Sequence, residues 1–224
     1  MAKKTAKKSK KLNILFVAAE VAPFTKAGGI ADVVSSLASV LKKQGHDVRI
    51  ATPKHGTIRN ERFQLQKVKD NLAVRIDKTT TEKFNVLKSF AKEKVPVYFI
   101  DNEEFFSSRR SIYGYWDDAH RFQFFDLAVL EMLKTVGFRP DVIHCHDWHA
   151  GLIPWYLKTR HRKLFSKPIA TIYTIHNLQY QGIINEKFAK EEEKEHIPEE
   201  MTEVGMHEHM SYERPRPLHY IARI

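Results

Sequence analysis

Cys145 is the single cysteine among 224 residues. One thiol excludes a disulfide framework and suits a reducing compartment. No run of about 18 apolar residues occurs, so a membrane-spanning helix is not expected. The first eleven residues, MAKKTAKKSKK, lack the apolar stretch of a secretory leader. These absences make a cytoplasmic chain with no membrane partner the expectation. Neither GxGxxG nor GxxxxGK[ST] follows the first apolar segment, which removes the dinucleotide fingerprint and the Walker loop. No internal repeat is present.

Apolar residues make up 42% of the chain, enough for a substantial core. The formal net charge is +10, and six of the first eleven residues are lysine. Such a segment buries little surface, so residues 1–11 are expected to be a disordered basic tail. A solubilising tail is the plainer account. A tail that touches nucleic acid or an anionic surface is the other, and nucleic acid is not expected as the main partner.

Leu12–Ala19 (LNILFVAA) is nearly continuous in apolar residues, as a buried parallel strand is. After Gly29, apolar residues recur at Ile30, Val33, Val34, Leu37, Ala38 and Leu41, a helical stripe that Gly45 can end. His46–Ala51 reads as the next strand. This strand–helix–strand unit predicts an α/β fold: an open, Rossmann-like parallel sheet with helices on both faces. Residues 63–90 alternate apolar and polar, which predicts a small antiparallel insertion. Strands are expected again at 96–101, 140–144 and 168–176, and helices at 117–136 and 148–158. Residues 187–224 are a charged run followed by a Pro/Arg-rich end. They fit no further strand–helix unit, although Glu191–Glu200 could form an exposed helix.

Open α/β sheets bind ligands beyond the carboxyl ends of their strands. Three such ends carry polar residues here. The first is Lys26-Ala27-Gly28-Gly29, followed at the helix start by Asp32. Glycines let a ligand approach the backbone, and a helix N-terminus with a lysine beside it suits a diphosphate. A tight turn that needs glycine only for its shape is the alternative. The second is His144-Cys145-His146-Asp147-Trp148-His149. Its residue types suit zinc, but neighbours on a strand point to opposite faces, so no metal site is expected. Asp147 could orient a sugar hydroxyl or cap the following helix. Cys145 is expected to be buried rather than nucleophilic. The third is Thr174–Gly182, where His176 and Asn177 either satisfy a turn or contact substrate.

The segments "ILFVAAEVAPFTKAGGIADVVSSLASVLKKQGHDVRIATP", "YFIDNEEFF", "IYGYWDDAHRFQFF", "PDVIHCHDWHAGLIPWYL" and "TIYTIHNLQYQG" occur in this order over about residues 12–184. Together they resemble the bacterial glycogen synthase and plant starch synthase family, whose fold is the two-domain GT-B glycosyltransferase fold. The resemblance implies glucose transfer from ADP-glucose or UDP-glucose to the non-reducing end of an α-1,4-glucan, with retention and without a metal or cofactor. It implies that Lys26, Gly28 and Gly29 lie at the nucleotide diphosphate, with Asp32 in support. It implies that Asp147 lies near a sugar. It carries over His176 as the residue nearest the transferred glucose, through its carbonyl and its side chain, with Asn177 supporting it. It puts Tyr113 in the acceptor cleft. On this basis residues 12–186 are the N-terminal half of a GT-B fold, and 187–224 depart from the family's usual continuation. The family's second Rossmann-like domain, with its E-x7-E motif, is not found in these residues. The expected partner is then a C-terminal catalytic domain in trans or in a longer chain. The alternatives are a non-catalytic glucan or nucleotide-sugar binding module, a truncated remnant, and a related transferase with another acceptor.

Overall fold

A computed structural model describes residues 10–163, 165–180 and 182. The expectations for the lysine tail up to residue 9, for Glu191–Glu200 and for 187–224 as a whole lie outside these residues. The described chain forms a 7-stranded sheet of order β3-β4-β5-β2-β1-β6-β7. Its strands are β1 (Asn13–Val17), β2 (Asp47–Pro53), β3 (Gln66–Arg75), β4 (Thr81–Ala91), β5 (Val95–Asp101), β6 (Val142–His146) and β7 (Ala170–Thr174). The five strands β5, β2, β1, β6 and β7 run parallel. β4 runs antiparallel to β5, and β3 antiparallel to β4. The expected antiparallel insertion therefore exists, but it extends the edge of the main sheet instead of standing apart from it.

Alternation along β1 explains the two layers. Ile14, Phe16 and Ala18 point to one core, with Val34 and Ala38 of helix α1 (Ile30–Lys43). Leu15, Val17 and Ala19 point to the other, with Phe122, Phe125, Val129 and Met132 of helix α3 (Asp118–Thr135). Between them in sequence lies a short helix, α2 (Asn60–Phe63), and α4 (Ile153–Lys158) follows β6. α1 ends as its sequence predicts. Gly45 takes φ +96, its N–H donates to Lys42 O at 2.9 Å, and the His46 N–H donates to Leu41 O at 3.2 Å.

A surface helix buries one apolar stripe, but α3 buries more than that. Phe124, Leu127 and Leu130 are buried as well. The β3–β4 hairpin covers that second side, with Phe84 edge-on to Phe124 at 6.1 Å. A helix covered all round needs no polar face. Each fully buried Phe or Leu stabilises the fold by about 1.5–3 kcal/mol. The expected helix at 148–158 is also split. Trp148–Ala150 is a single tight turn, and α4 begins at Ile153 with Pro154 in its first turn.

Parallel strands bring their carboxyl ends to one rim, where the loops pack closely. Gly56, just past β2, donates its N–H to Phe106 O at 3.1 Å. A Cβ at Gly56 would lie 2.7 Å from Ser107 O and nearer still to Arg109 O. Both are backbone atoms. Gly56→Ala is therefore expected to destabilise the chain by about 1–3 kcal/mol, with the urea midpoint as the readout. An unchanged midpoint would show that the two loops separate freely. Among the described residues no helix is long and apolar enough to cross a membrane.

Candidate functional site

Between β1 and α1 the chain makes a tight excursion that is organised by Glu20. This side chain, only 1% exposed, follows the apolar strand directly. Its Oε2 accepts the N–H groups of Ala27 at 2.5 Å and Gly28 at 3.0 Å, and its Oε1 accepts the Tyr113 hydroxyl at 2.8 Å. Two amides of the Lys-Ala-Gly-Gly turn are thus already committed to a protein carboxylate. The amides left to face outward are those at Gly29 and in the first turn of α1, which have no partner within the helix.

The backbone of this turn does not demand glycine. Neither Gly28 nor Gly29 has positive φ. A Cβ at Gly28 would meet only Glu20 Oε1 at 3.9 Å, and one at Gly29 would meet nothing within 4 Å. What glycine provides here is clear space over the start of a helix. Lys26 stands beside that space with its Nζ 2.6 Å from Asp32 Oδ2, the two side chains being 56% and 55% exposed. An exposed pair of this kind contributes about 0–1 kcal/mol, so Lys26 can turn to an incoming anion at little cost.

The β6–β7 end is held by Asp147. Its φ of 56° and ψ of −179° are unfavourable for a residue with a Cβ, a strain of about 1–3 kcal/mol. Its N–H donates to Thr174 O at 2.9 Å, and its Oδ1 accepts the His176 N–H at 2.6 Å. The Asn177 N–H donates to the same carboxylate. Burial raises the Asp147 pKa, and the bond from His176 offsets part of that rise. The helix-cap alternative is not realised, because the side chain makes no cap bond to the turn that follows. Asp147 instead clamps the loop that presents His176. Asn177 is exposed, and its Oδ1 accepts the Gln179 N–H at 2.9 Å, which shapes the same loop.

His176 continues a row of imidazoles. Its Nε2 lies 2.8 Å from His146 Nδ1, one nitrogen donating and the other accepting. The His144 and His146 rings stack at 4.2 Å and those of His146 and His176 at 5.1 Å, with Phe16 at the inner end. Burial pushes His146 down to about 2, so this imidazole stays neutral. Cys145 faces the opposite core and is fully buried, which raises its thiol pKa well above the usual range. Among the described residues no group of three or more His, Cys, Asp or Glu is placed to hold a metal.

Tyr113 joins the two halves. Its ring packs on His149 at 4.6 Å while its hydroxyl reaches Glu20. Burial foremost, then Glu20 and Asp147, raise its pKa. So the structure links Lys26, Gly28, Gly29 and Asp32 to Tyr113 through Glu20. It links Asp147, His176 and Asn177 to one another directly. Sequence reasoning gave no role to Glu20, His55 or His149. His55 Nε2 bonds to Ala19 O at 2.9 Å, and His149 lies between Tyr113, Phe122 and Trp148. The available signal was Glu20 itself, a lone acid inside the apolar run that ends the first strand.

Comparison with known proteins adds an independent line. The family model described as "Starch synthase catalytic domain" matches residues 13–215. The glycogen synthase of Moorella thermoacetica is 46% identical over 176 residues, covering 78% of this chain and 35% of that protein. The glycogen synthase of Desulforamulus reducens is 44% identical over 174 residues, covering 77% and 35%. The solved catalytic domain of Starch Synthase IV from Arabidopsis thaliana, bound to ADP and acarbose, has a TM-score of 0.67 and 34% identity, covering 77% of this chain and 35% of that one. The chain thus spans about a third of the length of the relatives it matches.

Proposed function

The chain belongs to the starch synthase catalytic-domain family, and from that premise we propose that residues 12–186 form the N-terminal half of a retaining glucosyltransferase site. The donor is ADP-glucose or UDP-glucose and the acceptor is the non-reducing end of an α-1,4-glucan. In the reaction the C1–O bond to the diphosphate breaks. A bond forms from the acceptor's terminal hydroxyl to C1 on the same face, and the hydroxyl proton leaves with the diphosphate. Lys26 and the open N–H groups at Gly29 and the start of α1 meet the charge that grows on the leaving diphosphate. The His176 carbonyl faces the positive charge that develops at C1, and its ring holds a glucose hydroxyl. Asp147 acts through His176 by clamping its loop, Asn177 and Asp32 support their neighbours, and Tyr113 borders the acceptor.

The observation that carries this reading is the joint presentation, on one rim, of a cleared helix N-terminus with a weakly paired lysine and of a histidine loop clamped by a buried aspartate. The solved neighbour's bound ADP and acarbose are of the matching chemical classes. Because the match covers only 35% of the relative's length, the reading requires a complementary C-terminal domain for turnover. A second reading is a chain that binds nucleotide sugar or glucan without catalysis, and it rests on the exposed lysine and the clamped histidine loop, which binding alone also needs.

The test is to co-express the chain with the remaining two thirds of the Moorella thermoacetica relative and to measure glucose transfer from each donor to maltooligosaccharide. Transfer supports the first reading. Binding of donor without transfer favours the second, and neither binding nor transfer sinks both. In the same assembly Lys26→Ala is expected to weaken donor affinity about tenfold, the loss of one charge-assisted phosphate contact. Unchanged donor kinetics would leave the turn a purely structural feature.

A further inference from the structure

Apart from Tyr113, the polar residues between 109 and 121 have no part in the chemistry above, yet they form a dense hydrogen-bonded network. Arg109 grips Asp117 with two nitrogens at 2.7 and 3.3 Å and donates through Nε to Glu104 O at 2.7 Å. Arg121 is fully buried. Its Nε donates to Phe105 O at 2.6 Å, its two terminal nitrogens lie 3.5 Å from Ile112 O, and it pairs with Asp118 Oδ1. The other Asp118 oxygen accepts the N–H groups of Gly114 at 2.8 Å and Tyr115 at 3.2 Å. The guanidinium also lies over the Tyr115 ring at 4.8 Å.

Within the loop around Tyr113, the bonded backbone groups include those of residues 112, 114 and 115. Tyr113 lies between them, so its backbone is fixed on both sides. Gly114 turns the chain there with φ +93, which lets the Tyr113 ring point inward to His149 and Glu20. Glu20 lies 93 residues away in sequence and makes no ion pair among the described residues. Its carboxylate is held by the Tyr113 hydroxyl on one oxygen and by Ala27 and Gly28 on the other. The path from α3 to the turn before α1 is continuous, with one covalent step: hydrogen bonds reach the backbone at residues 112, 114 and 115, the chain itself carries it to Tyr113, and hydrogen bonds resume at the Tyr113 hydroxyl. It runs through Arg121, Asp118, Tyr113 and Glu20 to Ala27 and Gly28.

We propose that Arg121 and Asp118 are positioning residues that fix Tyr113, so that its hydroxyl orients Glu20 and Glu20 presets the Lys26–Gly29 turn. The loop on the acceptor side and the turn on the donor side are thereby one coupled unit. Naming them acceptor and donor sides rests on the proposed function, whereas the coupling does not. A buried carboxylate that loses one of three donors rotates to satisfy the free oxygen, and that rotation loosens the two amides bonded to its other oxygen.

The experiment uses the ¹⁵N-labelled full chain. Tyr113→Phe removes only the hydroxyl and leaves the ring on His149. It is expected to move the Ala27 and Gly28 amide resonances and to speed their hydrogen exchange about tenfold, with β2 amides unmoved. Asp118→Asn and Arg121→Met are expected to move the same two resonances from the far end of the path, and Asp118→Glu to return them part of the way. A merely structural role for Arg121 would lower Tm without shifting Ala27 and Gly28 at temperatures far below unfolding. Should Arg121→Met fail to fold, Tyr113→Phe and Asp118→Asn still decide the matter. Ala27 and Gly28 resonances unmoved in Tyr113→Phe would overturn the coupling. ADP titrated into the same samples examines the donor assignment separately. Coupled resonances without any ADP response uphold the positioning roles and count against the turn as a phosphate site.

Discussion

Replacing His176 by alanine, in an enzyme completed by a C-terminal domain, is expected to lower kcat by about a hundredfold or more while KM for the donor changes little. Groups that act only as charge develops produce this pattern, and losing one costs two to three decades. The geometry supports a large effect for a second reason. The His176 N–H is fixed by Asp147 at 2.6 Å and its Nε2 by His146 at 2.8 Å, so backbone and ring are both held before any sugar arrives. Alanine keeps the N–H bond to Asp147 but removes the ring from the stack, and with it any hydroxyl contact. Steady-state kinetics on the purified assembly, with Tm measured alongside, gives the answer. Turnover within threefold of the parent, at unchanged Tm, would strike His176 from the catalytic list. Asp147→Ala should lower kcat as well, but through a mobile loop, visible as faster hydrogen exchange at His176 and Asn177.

Much of the scaffold is legible in the sequence because it rests on local signals. The apolar run of β1, the stripe of α1 and Gly45 each report a short-range constraint, and each lies where the pattern puts it. The gathering of Lys26, Asp147 and His176 along one rim follows from parallel strands alone. What the sequence hides is non-local. Nothing near Phe124, Leu127 or Leu130 says that a hairpin from residues 66–91 will cover them. The split of the 148–158 segment was signalled by Pro154, which favours a first helical turn over a helix interior. Glu20 is the sharper lesson. A lone acid after a buried strand is visible, but its meaning depends on Tyr113, 93 residues later, and on amides of a turn that glycine seemed to reserve for ligand. The clamp by Asp147 was hidden for the same reason, since its strained backbone and its bond to His176 arise only when β6 and β7 pair.

Acid is expected to unfold this chain well before ordinary carboxylate titration is complete. His55, His146 and His149 are buried, and burial pushes them down to about 4, 2 and 3. Three of their nitrogens, Nδ1 of His55, Nε2 of His146 and Nδ1 of His149, have no hydrogen-bond partner among the described residues, so no acceptor waits for an added proton. In the unfolded chain each imidazole takes up a proton near pH 6.5. Below that pH the unfolded state binds more protons than the folded one, and stability falls as pH falls. The contribution is fully present above pH 6.5 and declines until each folded imidazole finally protonates. At pH 5 the loss is about 2 kcal/mol for each group and about 6 kcal/mol for the three. A domain of ordinary stability, about 5–15 kcal/mol, loses a large part of it there. Urea unfolding from pH 7.5 to 4.5 should show stability dropping as pH falls, the three imidazoles contributing up to three protons to the slope and the raised carboxyls of Asp126 and Asp147 opposing them. His149→Phe, which puts one more ring among Tyr113, Phe122 and Trp148, should reduce that slope by one proton and shift the acid midpoint downward. Equal stability at pH 7.5 and pH 5, or a slope that His149→Phe leaves untouched, would mean that the buried imidazoles take up protons in the folded state as readily as in the unfolded one.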